Sequence, residues 1–350
     1  MRIEQLTFTR FLAAILIVVF HFGNGVFPFN LPGLTTLISF GYIGVSYFFV
    51  LSGFVMIVAY GREQSGISFK NYYLNRLAKI YPVYITALIL ALLVTKPQVE
   101  ATKLGSETLL IQSFLPRFLP SYNLPDWSLS VELLFYLLYP LLLNLFFLKN
   151  RIFKIGVFIV GFWMLSQIIN YLLGLHNNGT EIYHNFIYYH PFVHLNEFLA
   201  GNFTGLVFLR FLQSEYLRSD KPLLALMLVF ILGIAWLRWM QLHGFNWAVN
   251  FHNGLLVLFF APLILFLSLN RGFFAKIFNH SLLVFLGEIS YCIYILQLPL
   301  YTLFNNWFKL NNPLTALYFY IVFLIACSSI VYLYIEIPGK RLVRKYLKNA

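Results

Sequence analysis

The stretch MRIEQLTFTRFLAAILIVVFHFG, Met1–Gly23, decides the fold. From Phe11 to Phe22 it is apolar on every helical face except at His21, and Arg10 stands at its inner edge. A surface helix of a soluble protein would keep one polar face, whereas a run apolar all round is buried or spans a bilayer. No small-residue cleavage site follows the run, Arg10 and His21 lie in or beside it, and more apolar runs come after. It therefore reads as a retained first membrane helix rather than a targeting segment.

The rest of the chain repeats the pattern. Of the 350 residues, 60% are hydrophobic, 19% aromatic and 10% charged. A soluble domain carries about 25% charged residues, so this chain cannot cover a water-facing surface of its size. Apolar runs of about 20 residues, each long enough for a bilayer core of roughly 30 Å, predict spans near 8–28, 40–60, 79–95, 127–148, 154–174, 191–212, 222–241, 250–269, 282–306 and 314–336. In lipid every backbone polar group needs an internal partner, so these runs are expected to be helices. The fold class is an all-α, polytopic membrane bundle of about ten transmembrane helices with both termini cytoplasmic. It comprises one membrane domain over 1–338 and a basic cytoplasmic tail over 339–350. The tail is expected to lie against the anionic inner leaflet.

The formal net charge of +12 could suggest nucleic acid, but its placement argues for topology. With the N-terminus inside, every Lys and Arg except Lys96, Lys103, Arg117, Arg238 and Lys309 falls on the inner side. That asymmetry is the positive-inside pattern, and no nucleic-acid partner is expected. Cys292 and Cys327 both fall inside spans, where they are expected to serve as small packing residues. No phosphate loop or dinucleotide fingerprint occurs. His176, His184, His190 and His194 gather around an outer loop without a carboxylate-backed ligand motif, so no metal is expected.

Ionisable residues inside a span are costly and are functional candidates by default. Arg10 and His21 are eleven residues apart on one helix. That is three turns plus about 20°, so they share a face, roughly 16 Å apart along the axis. The plainer alternatives are a snorkelling anchor for Arg10 and a packing histidine for His21. As a neutral imidazole His21 could accept a proton from a hydroxyl. Glu132 lies near the outer end of the fourth span and needs a partner such as His21. Ser52 and Gly53 sit mid-span, either as close helix packing or as bare backbone along which a ligand passes. Arg76 and Lys79, just before Pro82 at the inner mouth of the third span, read as topological anchors or as a cradle for a phosphorylated cytosolic ligand. Glu336 is expected to pair with the basic tail, and Asp126 to cap the fourth span.

Together these residues resemble acyltransferase family 3, the bacterial membrane proteins that acylate surface polysaccharides and related molecules. The resemblance runs nearly end to end. It rests on Arg10-x10-His21, Phe48-Phe49-x-x-Ser52-Gly53-Phe54, Arg76-x-x-Lys79-Ile-x-Pro82, Trp127-Ser-Leu-x-x-Glu132-x-x-Phe135-Tyr136, Phe198-Leu-x-Gly201 and Glu336-x-Pro338. Two positions depart from the family pattern. Gln297 stands where the family often has His, and Gln cannot take up a proton. Lys79 replaces an Arg and loses bidentate geometry. The large soluble domain of some members is not expected.

The resemblance implies a cytosolic acyl-CoA donor, acetyl-CoA by default, held at Arg76 and Lys79 with Arg10 nearby and its arm passing Ser52 and Gly53. It implies His21 as base, or as a residue acylated in passing, with Glu132 balancing it. The acceptor would be a carbohydrate hydroxyl, and the location the bacterial cytoplasmic (inner) membrane. The rival class is a transporter or flippase with a polar path through the bundle. Such proteins often carry paired repeats, and no clear repeat is found here.

Overall fold

The computed structural model describes residues 3–31, 33–62, 67–176, 179–212, 215–243 and 251–349. Every regular element among them is helical. The first half comprises α1 (Glu4–Phe22), α2 (Leu34–Ser39), α3 (Ile43–Tyr60), α4 (Phe69–Thr95), α5 (Ala101–Thr108), α6 (Trp127–Leu142), α7 (Ile152–Leu175) and α8 (Glu181–Tyr189). The second comprises α9 (Leu195–Phe211), α10 (Lys221–Leu242), α11 (Val257–Leu269), α12 (Phe273–Phe278), α13 (Ser281–Glu288), α14 (Ser290–Phe308), α15 (Pro313–Val331) and α16 (Ile337–Asn349). Turns of π-helix continue α6 over Leu143–Phe147 and α15 over Tyr332–Glu336.

Among the described residues six helices are long and apolar enough to cross a bilayer, or seven if the pair α13–α14, bent by 53°, counts as one span. Each of the ten expected spans coincides with a helix. However, α9 has 17 residues, α11 has 13, and the apolar stretch Lys221–Gly233 is also short. The chain is thus a multi-pass membrane protein. Its surface carries what a soluble protein hides, with Phe153 on α7 78% exposed and Val322 on α15 63% exposed.

Two expectations need correction. The third span does not start at residue 79: α4 begins ten residues earlier, capped by the Ser68 hydroxyl, and Pro82 lies inside it. A proline in a membrane helix is tolerated where neighbours satisfy the freed backbone groups, and the Thr86 hydroxyl donates to the Pro82 carbonyl at 2.8 Å. Arg76 and Lys79 therefore stand two turns within a helix rather than at its mouth. Asp126 precedes α6 but makes no side-chain cap. Its carboxylate instead accepts from the Asn123 amide at 2.7 Å.

Close backbone contacts set the bundle. Water exclusion does not drive helices together within lipid, so small residues that let backbones approach carry much of the association. At the α3–α9 crossing the two backbones approach closely. A Cβ on Gly53 would stand 2.1 Å from the Phe198 carbonyl oxygen, and one on Gly201 would stand 2.0 Å from that of Val50. Around this seam pack the buried rings of Phe49, Phe54, Phe135 and Phe208, and Phe135 stacks on Phe198 at 4.6 Å. Helix α1 is gripped the same way. Cβ atoms on Gly287, Gly44 and Gly41 would lie 1.9, 3.0 and 2.9 Å from the carbonyl oxygens of Thr7, Ala13 and Leu16.

Candidate active site

Five helices wall an interior cavity of about 120 Å³. Helix α1 contributes Arg10, α3 contributes Ser52, α4 contributes Arg76 and Lys79, and α6 contributes Glu132 and Tyr136, with Tyr291 and Tyr294 of α14 closing the wall. Three cations thus face a single carboxylate. A second cavity of about 210 Å³ lies between α1 and α3 and shares Arg10, Leu51 and Val55 with the first, so the two adjoin at Arg10.

Arg76 is the most elaborately held of these groups. Its guanidinium lies 5.6, 5.5 and 5.7 Å from the ring centres of Tyr60, Tyr72 and Tyr136. One Nη donates to the Tyr60 hydroxyl at 3.2 Å, and the buried Nε has no partner. Among the described residues no carboxylate comes within ion-pair distance of Arg76. Aromatic faces attract a cation without neutralising it as a carboxylate would, so the guanidinium keeps unused donors for an incoming anion. Tyr136 links the two charges, because its hydroxyl donates to Glu132 Oε2 at 2.6 Å while its ring lies against Arg76.

His21 stands apart from the cavity wall, in the last turn of α1. Its Nδ1 lies 2.9 Å from Gln297 Oε1, and the Gln297 amide nitrogen donates to the Tyr294 carbonyl at 2.8 Å. Tyr294 lines the cavity, so His21 and Gln297 are one helical turn of α14 beyond it. The expected His21–Glu132 partnership is not formed: His21 takes Gln297 and Glu132 takes Tyr136.

Of the residues picked from sequence, Arg10, Ser52, Arg76, Lys79 and Glu132 come together, and His21 lies on the same helix as Arg10. Gly53 does not join them. It points from α3 into α9, where its carbonyl accepts from the Asn202 amide at 2.8 Å. Gly53 is not among the residues that line the cavity, although its neighbours Leu51 and Ser52 are. The tyrosine cage was missed, although Tyr72 and Tyr136 each sit four residues from the charge they serve, the spacing that makes helix neighbours.

Elsewhere, Glu336 pairs with Lys340 as expected and accepts from the Cys292 thiol at 3.3 Å. The loop histidines make separate contacts. His194 pairs with Glu197 at 2.9 Å in a fully buried contact, while His176 bonds its own helix at the Leu172 carbonyl. Among the described residues no three His, Cys, Asp or Glu side chains converge as metal ligands.

Comparison with known proteins matches this arrangement to a family. A family profile described as "Acyltransferase domain" covers residues 3–333. The acyltransferase MdmB of Streptomyces mycarofaciens is 33% identical over 153 residues, 40% of this chain and 39% of that protein. The peptidoglycan O-acetyltransferase OatA of Listeria monocytogenes is 24% identical over 306 residues, 78% of this chain and 47% of that protein. The chain spans about half the length, or less, of these curated relatives. No solved structure matches it. With the profile covering nearly its whole length, the chain belongs to acyltransferase family 3.

Proposed function

We propose that the enzyme moves an acyl group, acetyl by default, from cytosolic acyl-CoA to a hydroxyl of a cell-surface carbohydrate or related acceptor, in the bacterial cytoplasmic membrane. The observation that carries the reading is the cavity that gathers Arg10, Arg76 and Lys79 below His21 on a shared helix. Arg76 forks phosphate oxygens and Lys79 adds a point charge. The donor's arm then runs past Ser52 and along α1, a path of roughly 16 Å by helix rise. Glu132 holds the Tyr136 hydroxyl and balances the cations before the donor arrives. We keep ten crossings with both termini cytoplasmic as part of the proposal, since that arrangement opens the basic cavity to cytosolic donor.

His21 acts as general base. It takes the acceptor's hydroxyl proton as the oxygen bonds to the acyl carbon. The carbon–sulfur bond breaks, and the thiolate leaves with the proton returned by His21. To test this, labelled acetyl-CoA is supplied to inside-out vesicles holding the wild-type or His21→Ala protein. We expect label in the glycan fraction and free coenzyme A only with wild type. Undiminished transfer by the variant would sink the assignment.

A further inference from the structure

The geometry points to Gln297 as a positioning residue that fixes the tautomer of His21 so that Nε2, not Nδ1, is the basic nitrogen. This rests on the proposed role of His21. Gln297 is fully buried, and its side chain can face only one way. Its amide nitrogen donates to the Tyr294 carbonyl at 2.8 Å. Turning the amide over would set two acceptors against each other there, so Oε1 is the atom that meets His21 Nδ1 at 2.9 Å. An amide oxygen only accepts, so Nδ1 must carry the hydrogen. A neutral imidazole has one N–H, and its other nitrogen keeps the lone pair.

The supports around Gln297 are firm. The Tyr320 hydroxyl donates to the Gln297 backbone carbonyl at 2.5 Å. Phe22, the residue after His21, stacks on Tyr301 at 4.0 Å and meets Tyr320 edge-on at 5.3 Å. The end of α1 and this turn of α14 thus share one aromatic seat. Nε2 receives the proton from the acceptor hydroxyl and gives it back to the departing thiolate, while Nδ1–H stays on Gln297 throughout. A histidine at position 297 could present a donor or an acceptor to His21, whereas glutamine held by Tyr294 presents only an acceptor. Glutamine at position 297 thus offers no second base and fixes the tautomer of His21.

Two measurements test this. With 15N-histidine-labelled protein in lipid nanodiscs, the His21 resonances, identified by their loss in His21→Ala, should show the Nδ1–H tautomer. The Nε2–H tautomer would overturn the inference, and this readout does not depend on any Gln297 variant folding. In steady-state assays Gln297→Leu should lower kcat about 100-fold, the low end of general-base contributions, with KM for acetyl-CoA unchanged. Wild-type kcat in Gln297→Leu sinks the inference alone, provided His21→Ala is inactive. Transfer by His21→Ala sinks the functional reading as well.

Discussion

Replacing Gly53 by Ala tests whether this glycine serves helix packing rather than the ligand path. The added Cβ would stand 2.1 Å from the Phe198 carbonyl oxygen and 2.9 Å from the Asn202 nitrogen, both backbone atoms. Relief requires α3 and α9 to part by about 1 Å, enough to forfeit a quarter to a half of the dispersion energy of each facing contact. Overpacking of this kind costs about 1–3 kcal/mol. The Asn202–Gly53 hydrogen bond, 2.8 Å long and buried, would be stretched, and a lost buried partner costs about 1–3 kcal/mol more. Alanine's better helix propensity returns up to about 1 kcal/mol. The net expectation is a loss of about 3 kcal/mol.

Gly161→Ala is the control, because that glycine is exposed on α7 with nothing near its Cβ position. It should be neutral or slightly stabilising. Thermal unfolding of the detergent-solubilised proteins, followed by tryptophan fluorescence, compares them. Equal midpoints for the two variants would refute the packing argument and return Gly53 to the list of ligand-contacting positions. The donor's KM should also rise in Gly53→Ala, because its neighbours Leu51, Ser52, Val55 and Met56 form the cavity wall.

Further expectations follow from the cage and from the outer layer. Arg76→Lys keeps the charge but loses the fork and the flat contact with three tyrosines. We expect KM for acetyl-CoA to rise about tenfold, roughly 1.4 kcal/mol, with kcat little changed, and an unchanged KM would speak against Arg76 as the phosphate holder. Glu107 on α5 is buried, and burial pushes its carboxyl from 4.5 up to about 7, against the Tyr122 N–H and Lys103, which pull the other way. A carboxyl whose folded pKa is raised holds its proton in the fold longer than in the unfolded chain, so stability falls as pH rises from about 4.5 to about 7. The span corresponds to at most about 3 kcal/mol at 1.36 kcal/mol per pKa unit. Glu107→Gln should flatten that part of the stability profile in a detergent melt series, and an unaltered slope would assign it to other groups.

Much of this was legible from residues alone because membrane insertion leaves long apolar runs and few places for charge. Arg10, Ser52, Arg76, Lys79 and Glu132 stood out as misfits to lipid, and the cavity brings them together. The failures have local causes. The third span was placed by its apolar run at 79–95, yet α4 already begins at Phe69 with a more polar first part, and that misplaced the basic pair. Ser52 lines the cavity while the adjacent Gly53 packs against α9, which only the partner helix reveals. The His21–Gln297 contact joins residues 276 positions apart, and no helical periodicity reaches that far. Glu132 was given the wrong partner because its depth in the span was judged without the tyrosine one turn away.

The glycines that grip α1 have a consequence for how this enzyme could diversify. Main-chain contacts at Thr7, Ala13 and Leu16 hold the helix from flanking elements, so on the proposed function the interval between Arg10 and His21 works as a fixed gauge. Side chains around the C-terminal end of α1, such as Phe20 and Tyr42, whose ring centres lie 5.8 Å apart, can be exchanged without retuning that gauge. A change of acceptor therefore requires no change in how far the donor must reach. Lineages built on this frame would diverge at the rim while keeping one common stroke length.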